Sequence, residues 1–276
     1  MKLYLETKDY TLTGESFKLL HDPVLDMLIT EPQPDNLGRY YESEDYISHT
    51  DAKKSLVDKM YHTVKGYNLK SKLSLINSYA GTDKTILDVG AGTGDFLVRA
   101  KHDGWKITGI EPNDLARLKA EEKGVMLLDD LNTLPIGQKF EVITLWHVLE
   151  HLPDLESQVS KLVGLLTESG TLVIAVPNFK SYDAKYYKEY WAAFDVPRHL
   201  WHFSQKSIQN IFVKYGMKLV RTKPMFFDAF YVALLSEKYK NGKQNFIRAF
   251  LIGLISNFRA LRSKEYSSLI YVIKRR

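Results

Sequence analysis

The stretch Ile86-Leu-Asp88-Val-Gly90-Ala91-Gly92-Thr-Gly94-Asp95-Phe-Leu97 decides the fold. A short apolar run leads into three glycines at every second position, and a helix-forming stretch follows at once. Strand, glycine turn and helix in that order set backbone N–H groups and a helix N-terminus against a ligand. The spacing is G-x-G-x-G. A dinucleotide fingerprint would want glycine or alanine at position 95, where Asp95 stands. A phosphate loop would want Gly-Lys-Ser/Thr, and the turn contains no lysine. Asp88 and Asp95 flank the turn, so a pyrophosphate would meet two carboxylates at a cost of roughly 1–4 kcal/mol. A ligand carrying an ammonium and a sulfonium would be favoured instead.

Working outward, the middle of the chain alternates strand and helix. The pattern predicts strands over Thr85–Val89, Lys106–Ile110, Val125–Leu128, Glu141–Leu145 and Thr171–Val176. Between them lie helices over Gly94–His102, Asp114–Lys123 and from the N-cap Asp154 through Leu166, the last stopped by Gly170. This rhythm implies a mostly parallel, doubly wound sheet with helices on both faces. Residues 178–204 interrupt it with an aromatic-rich insert. A helix (Ser204–Tyr215), a strand (Met217–Thr222), a largely helical insertion at about 229–264 and a last strand (Ser268–Lys274) complete the chain. Upstream, residues 51–79 suit one or two amphipathic helices, and residues 1–50 form a cap or lid segment with β-prone pieces at Lys2–Leu5 and Tyr10–Leu12. The main domain is thus 51–276.

S-adenosylmethionine carries both the ammonium and the sulfonium. Glu111 supports it, 21 residues beyond Gly90 at the end of the second core strand, where an acid can accept both ribose hydroxyls. The glycine run resembles the nucleotide loop of class I S-adenosylmethionine-dependent methyltransferases. Thr108-Gly-Ile-Glu111-Pro-Asn is similar to their second motif, and Phe140 through Asp154 to their fourth strand and following turn. Gly170 through Asn178 resembles their fifth strand. Asp195-Val-Pro-Arg-His199-Leu-Trp-His202-Phe-Ser204 resembles a subgroup with ubiquinone-biosynthesis O-methyltransferases and related small-molecule methylases. The resemblance implies a Rossmann-like seven-stranded sheet whose last strand is antiparallel. It also implies cofactor contacts from Asp88, Gly90, Ala91, Gly92, Gly94, Glu111 and Pro112. Asp130 and Leu131 are expected at the adenine, and Leu145, Trp146 and His147 along the crevice outside the strand ends.

Methyl transfer is an in-line displacement that depends on positioning, with a base where the acceptor must lose a proton. His147, His151, His199 and His202 are the candidates, His199 first. Tyr41 and Tyr46, in a segment similar to the subgroup's lid, are expected to meet the sulfonium by cation–π contact. His147-x-x-Glu150-His151 matches the H-x-x-E-H pattern of inverted zinc peptidases, but the run straddles a strand end and Pro153 follows, so no metal-binding helix is expected. In some relatives an acid–acid–histidine set in this turn binds a divalent cation. Here His147 replaces the first acid, and no metal is expected. Relatives also carry a cysteine-based zinc knuckle near the N-terminus. This chain contains no cysteine, so its cap is expected to hold by packing alone.

Composition excludes other classes. Without cysteine there is no disulfide, thiol catalysis or Cys-ligated zinc, which fits a reducing cytosol. The N-terminus lacks a signal-peptide pattern, and the apolar run near Ala249–Ile255 is too short for a bilayer, so a cytoplasmic protein is expected. Net charge is +5 with pI near 9.0, and Lys238–Arg276 holds ten basic residues against one acid, Glu265. Segment 245–262 is apolar on more than one face with arginines towards its ends. It is expected to pack, to form a homodimer or to lie on a membrane surface. The expected partner is a small-molecule methyl acceptor and not nucleic acid. An RNA methyltransferase, a non-catalytic cofactor-binding protein and, third, an oxidoreductase are the rivals.

Overall fold

The computed structural model describes residues 1–41 and 56–276; Tyr46 therefore lies outside the described residues. Three N-terminal strands, β1 (Lys2–Lys8), β2 (Ser16–Asp22) and β3 (Met27–Glu31), pair antiparallel in succession. Between β1 and β2 the Asp9 carboxylate accepts from the backbone N–H groups of Thr11, Leu12 and Thr13. That bonding makes Tyr10–Leu12 a turn rather than the expected β-prone piece. Helix α1 (Leu56–Asn77) leads into β4 (Thr85–Val89), α2 (Asp95–His102), β5 (Lys106–Ile110), α3 (Asp114–Glu121) and β6 (Phe140–Trp146). Next come α4 (Leu155–Gly164), β7 (Leu166–Pro177), α5 (Tyr182–Tyr187), β8 (Trp201–His202) and α6 (Gln205–Val213). The chain ends with β9 (Met217–Pro224), α7 (Asp228–Asn241), α8 (Phe246–Ser263) and β10 (Ser268–Arg275).

Six strands form the central mixed sheet in the order β5-β4-β6-β7-β10-β9. Strands β5, β4, β6 and β7 run parallel, and β10 is antiparallel to both β7 and β9. Alternate residues point to opposite faces. Along β7 and β10, Leu172, Ile174, Val176, Tyr271 and Ile273 enter one core, packed with residues of α4 and α6. Val173, Ala175, Ile270 and Val272 enter another, with residues of α1, α2 and α3. Both faces are covered, which is why these strands read as continuous apolar runs.

Seven strands were expected, and the sheet has six among the described residues. Val125–Leu128 contributes only a bridge between Ile110 and Leu128, where Glu111 N–H donates to Leu128 O (2.8 Å) and Leu128 N–H to Gly109 O (2.9 Å). A left-handed Gly124 precedes it, and Asp130 caps a 3₁₀ turn (Leu131–Thr133) just after it, so the pairing cannot lengthen. The helix expected from the N-cap Asp154 through Leu166 ends at Gly164, because Leu166 already pairs with Phe140.

Strand β8, from the aromatic insert, pairs with β3 and completes a second, four-stranded sheet. The cap does not hold by packing alone. Arg198, fully buried, donates to Asp9 (2.9 Å), Asp195 (2.7 Å) and the Tyr40 carbonyl (3.0 Å). Burial alone would raise the Asp9 carboxyl; the Arg198 guanidinium and backbone donors outweigh it and hold Asp9 below the usual carboxylate range. Among the described residues, no helix is long and apolar enough to cross a membrane.

Candidate active site

Strand order reverses at β4, which has β5 on one side and β6 on the other, and ligands of open α/β sheets bind outside the strand ends at such a point. Two loops meet there. Gly90, Gly92 and Gly94 all have positive φ (+71°, +54°, +73°), a region that favours glycine. A Cβ on Gly90 would fall 2.3 Å from Val148, so the turns after β4 and β6 press together at this glycine. A Cβ on Gly92 would meet nothing within 4 Å: that part of the turn faces open space. Glu111 Oε2 accepts from Gly92 N–H (2.8 Å) and Oε1 from Asn113 N–H (3.0 Å), which fixes the acid at the edge of the turn.

The two aspartates do not wall the turn as the sequence implied. Asp88 is buried beneath it, accepting from Thr144 Oγ1 (2.5 Å), and burial raises its carboxyl to about 7 against that bond. Asp95 is paired with Lys65 (2.7 Å) and Lys123 (2.8 Å), which overcome burial and keep it ionised. Glu111 is the acid left facing the loop. Ala91 is half-buried in the turn, while Pro112 and Asp130 are exposed. Leu131 packs against the core, and Leu145 lies wholly inside it. Trp146 is half-buried, edge-on to Phe96 and under Lys72 Nζ (4.3 Å), with its buried Nε1 lacking a hydrogen-bond partner.

Beyond this turn a cavity of about 560 Å³ opens between the aromatic insert, the β6 turn, the N-terminal hairpin and α7. His147, Glu150, His151 and His199 line it, and Tyr10, Tyr231, Val232, Leu235 and Tyr239 make much of its wall. The four candidate histidines differ in environment.

His147, at φ +59°, lies between Asp228 Oδ2 (3.1 Å) and Glu150 Oε1 (3.4 Å). Burial would lower its pKa, but the two carboxylates reverse this and push it up to about 10. Held in its protonated form between the two carboxylates, His147 suits an ion-pair role better than that of a base.

His202 lies in a different environment. Its ring sits edge-on to Phe194 with Nε2 3.0 Å from Thr30 Oγ1, and Thr30 spends its proton on the His199 carbonyl (2.7 Å). Nε2 must then carry hydrogen, and burial holds the ring neutral, with its pKa down at about 3. It ties β8 to β3 within the four-stranded sheet and does not line the cavity.

His199 and His151 remain. His199 Nδ1 lies 2.9 Å from the Ala193 carbonyl, so it is the protonated nitrogen, and Nε2 keeps its lone pair. Burial, with the neighbouring His151, lowers its pKa well below the ordinary value. His151 Nδ1 lies 3.1 Å from the Arg198 carbonyl and 3.0 Å from Tyr41 Oη, and its ring is edge-on to His199 (4.5 Å). Tyr41 thus reaches the cavity histidines.

Glu150 is 1% exposed, and neither carboxylate oxygen has a hydrogen-bond partner. The 3.4 Å approach of His147 is an ion-pair contact only. Donor atoms of Glu150, His151 and His199 all lie within 4.8 Å of one another, the one set among the described residues close enough to share a metal ion. Residues 149–151 form a single 3₁₀ turn, so the zinc-peptidase helix is absent. Asp228 and Tyr10 were not foreseen: both come from segments with no motif, brought in by the helical insertion and the N-terminal hairpin.

A family model described as a methyltransferase domain matches residues 60–222. The chain is 33% identical over 110 residues to the ubiquinone biosynthesis O-methyltransferase of Histophilus somni, covering 35% of this chain and 46% of that protein. It is 35% identical over 108 residues to that of Actinobacillus pleuropneumoniae serotype 7, covering 34% and 46%. The chain thus spans about half the length of the curated relatives it matches. Among solved structures, magnesium protoporphyrin IX methyltransferase from Synechocystis with bound SAH superposes with a TM-score of 0.54 at 16% identity, covering 87% of this chain and 92% of that one. At that identity the likeness speaks to the fold. With the family match extending from α1 across the glycine turn and the β6 turn into β9, the chain belongs to the methyltransferase-domain family.

Proposed function

We propose that the protein transfers a methyl group from S-adenosylmethionine to a small-molecule acceptor, an aromatic or lipid-like metabolite methylated on oxygen. Glu111 carries the reading. Its carboxylate is held at the lip of the glycine turn by Gly92 and Asn113 N–H groups, leaving acceptor capacity for ribose hydroxyls. Gly92 faces open space, which suits a ligand laid across the turn. When bound, the cofactor supplies an electrophilic methyl carbon.

His199, with His151 beside it, is placed to take the proton of an acceptor hydroxyl lodged in the cavity. Tyr10, Tyr231, Val232, Leu235 and Tyr239 offer such an acceptor an apolar, aromatic wall. His147, held as a cation between Glu150 and Asp228, binds the β6 turn to α7. A chain without cysteine suits a reducing compartment, and we place this activity in the cytoplasm.

Calorimetry with S-adenosylhomocysteine tests the cofactor assignment. The wild-type chain should bind it, and Gly92→Arg, which fills the open side of the turn and strains φ +54°, should abolish binding. Equal affinity in the variant overturns the assignment. Loss of turnover on chelation, restored by a divalent cation, would move Glu150, His151 and His199 from proton transfer to metal binding.

A further inference from the structure

We propose that α8 lays its outer face on an anionic membrane surface. This goes beyond the methyl-transfer reading and does not depend on it.

The inner face of α8 is fully used. Gly253 packs so close to α7 that a Cβ there would meet Phe230 at 2.7 Å, and Ser256 Oγ donates to the buried Asp183 (2.6 Å). Its outer face is apolar and not covered by any of the described residues: Ile247, Phe250, Leu251, Leu254, Phe258 and Leu261 are all exposed, Ile247 at 77% and Phe258 at 73%. At about 100° per residue these six side chains fall within an arc of about 100°, a single stripe along the helix. A contiguous apolar face of this kind marks an interaction site.

Charge selects the occupant. From residue 228 to 264 every exposed charged side chain is a cation. Arg248, Arg259 and Arg262 lie on α8, with Arg248 bonded to Tyr186 and Arg259 stacked on Tyr182 beside the stripe. Lys238, Lys240 and Lys243 lie on α7 and in the turn after it. The two acids in the segment face inward, Asp228 to His147 and the buried Glu237 to Tyr187. A two-fold dimer would set this face against itself and oppose the cations, which disfavours a second copy. RNA would use the cations but leave Ile247, Leu251, Leu254 and Leu261 without a role. An anionic lipid surface satisfies both components: apolar side chains enter the acyl boundary while lysines and arginines meet headgroups. No described helix can span the bilayer, so α8 lies in its plane. Tyr231 and Lys238 of α7 are exposed and also line the cavity, so docking would bring the cavity beside the lipid surface.

Co-sedimentation of the full chain with phosphatidylcholine vesicles, with and without phosphatidylglycerol, tests this. Binding is expected with phosphatidylglycerol, about tenfold or more weaker without it, and falling with salt. Ile247→Glu with Phe258→Glu should remove binding and leave the melting temperature unchanged. If that variant melts lower, Lys243→Glu with Arg262→Glu takes its place and must weaken binding to the anionic vesicles alone. The proposal is overturned by failure to pellet with anionic vesicles, by binding that survives the substitutions, by a concentration-dependent dimer that they abolish, or by preference for RNA over vesicles.

Discussion

His147 reaches two carboxylates and His199 reaches a carbonyl, and that difference assigns their protonation. His199→Ala should lower turnover about 100-fold or more, the scale of a lost general base, while S-adenosylhomocysteine affinity stays unchanged. Wild-type turnover in single-turnover assays would remove His199 from the mechanism. For His147 the folded pKa is raised from 6.5 to about 10. Its stabilising contribution is therefore present in full below about pH 6.5 and disappears as pH rises through about 10. Asp228→Asn should reduce stability at pH 7 and narrow the drop between pH 7 and pH 10 in denaturant titrations. An equal drop in both proteins contradicts the ion pair. Buried His202 runs the other way: with its pKa lowered to about 3, it costs stability as pH falls below 6.5, by up to about 1.4 kcal/mol per pH unit. His202→Gln keeps a donor for Thr30 and should flatten that acid limb.

Elements were legible wherever local pattern and tertiary burial agree. Strands β4 and β5 match the expected bounds because both are apolar runs closed by turn residues. Val125–Leu128 has the same local character but lies at an edge, between a left-handed glycine and a capping aspartate, and keeps one bridge. The glycine turn and Glu111 were readable because they are local in sequence. Asp228, Tyr10 and the neutralisation of Asp95 by Lys65 and Lys123 were not, since each depends on elements far apart in the chain. The cap shows the same limit: Arg198 lies 189 residues from Asp9, and their pairing has no signature in either stretch. Arg198→Met would leave two buried carboxylates without their cation, at a cost of about 3–5 kcal/mol in denaturant unfolding. A change under about 1 kcal/mol would mean that packing alone holds the cap.

At the scale of the molecule, the β6 turn lies between a turn suited to a nucleoside and a cavity lined by His151 and His199, and a helical insertion lines that cavity with its inner helix while its outer helix presents an apolar, cationic face. The β1–β2 hairpin contributes Tyr10 and Thr11 to the cavity wall, and the insert contributes Ala192, Ala193 and His199. The central claim is spatial: the cofactor lies across Gly92 with its ribose on Glu111 and its sulfur towards His151 and His199. A crystal structure with S-adenosylhomocysteine tests it most directly. The account predicts both ribose hydroxyls within hydrogen-bond distance of the Glu111 carboxylate and the sulfur opening on the cavity. A ligand seated elsewhere, or a soaked dinucleotide bound across the turn in its place, would contradict it.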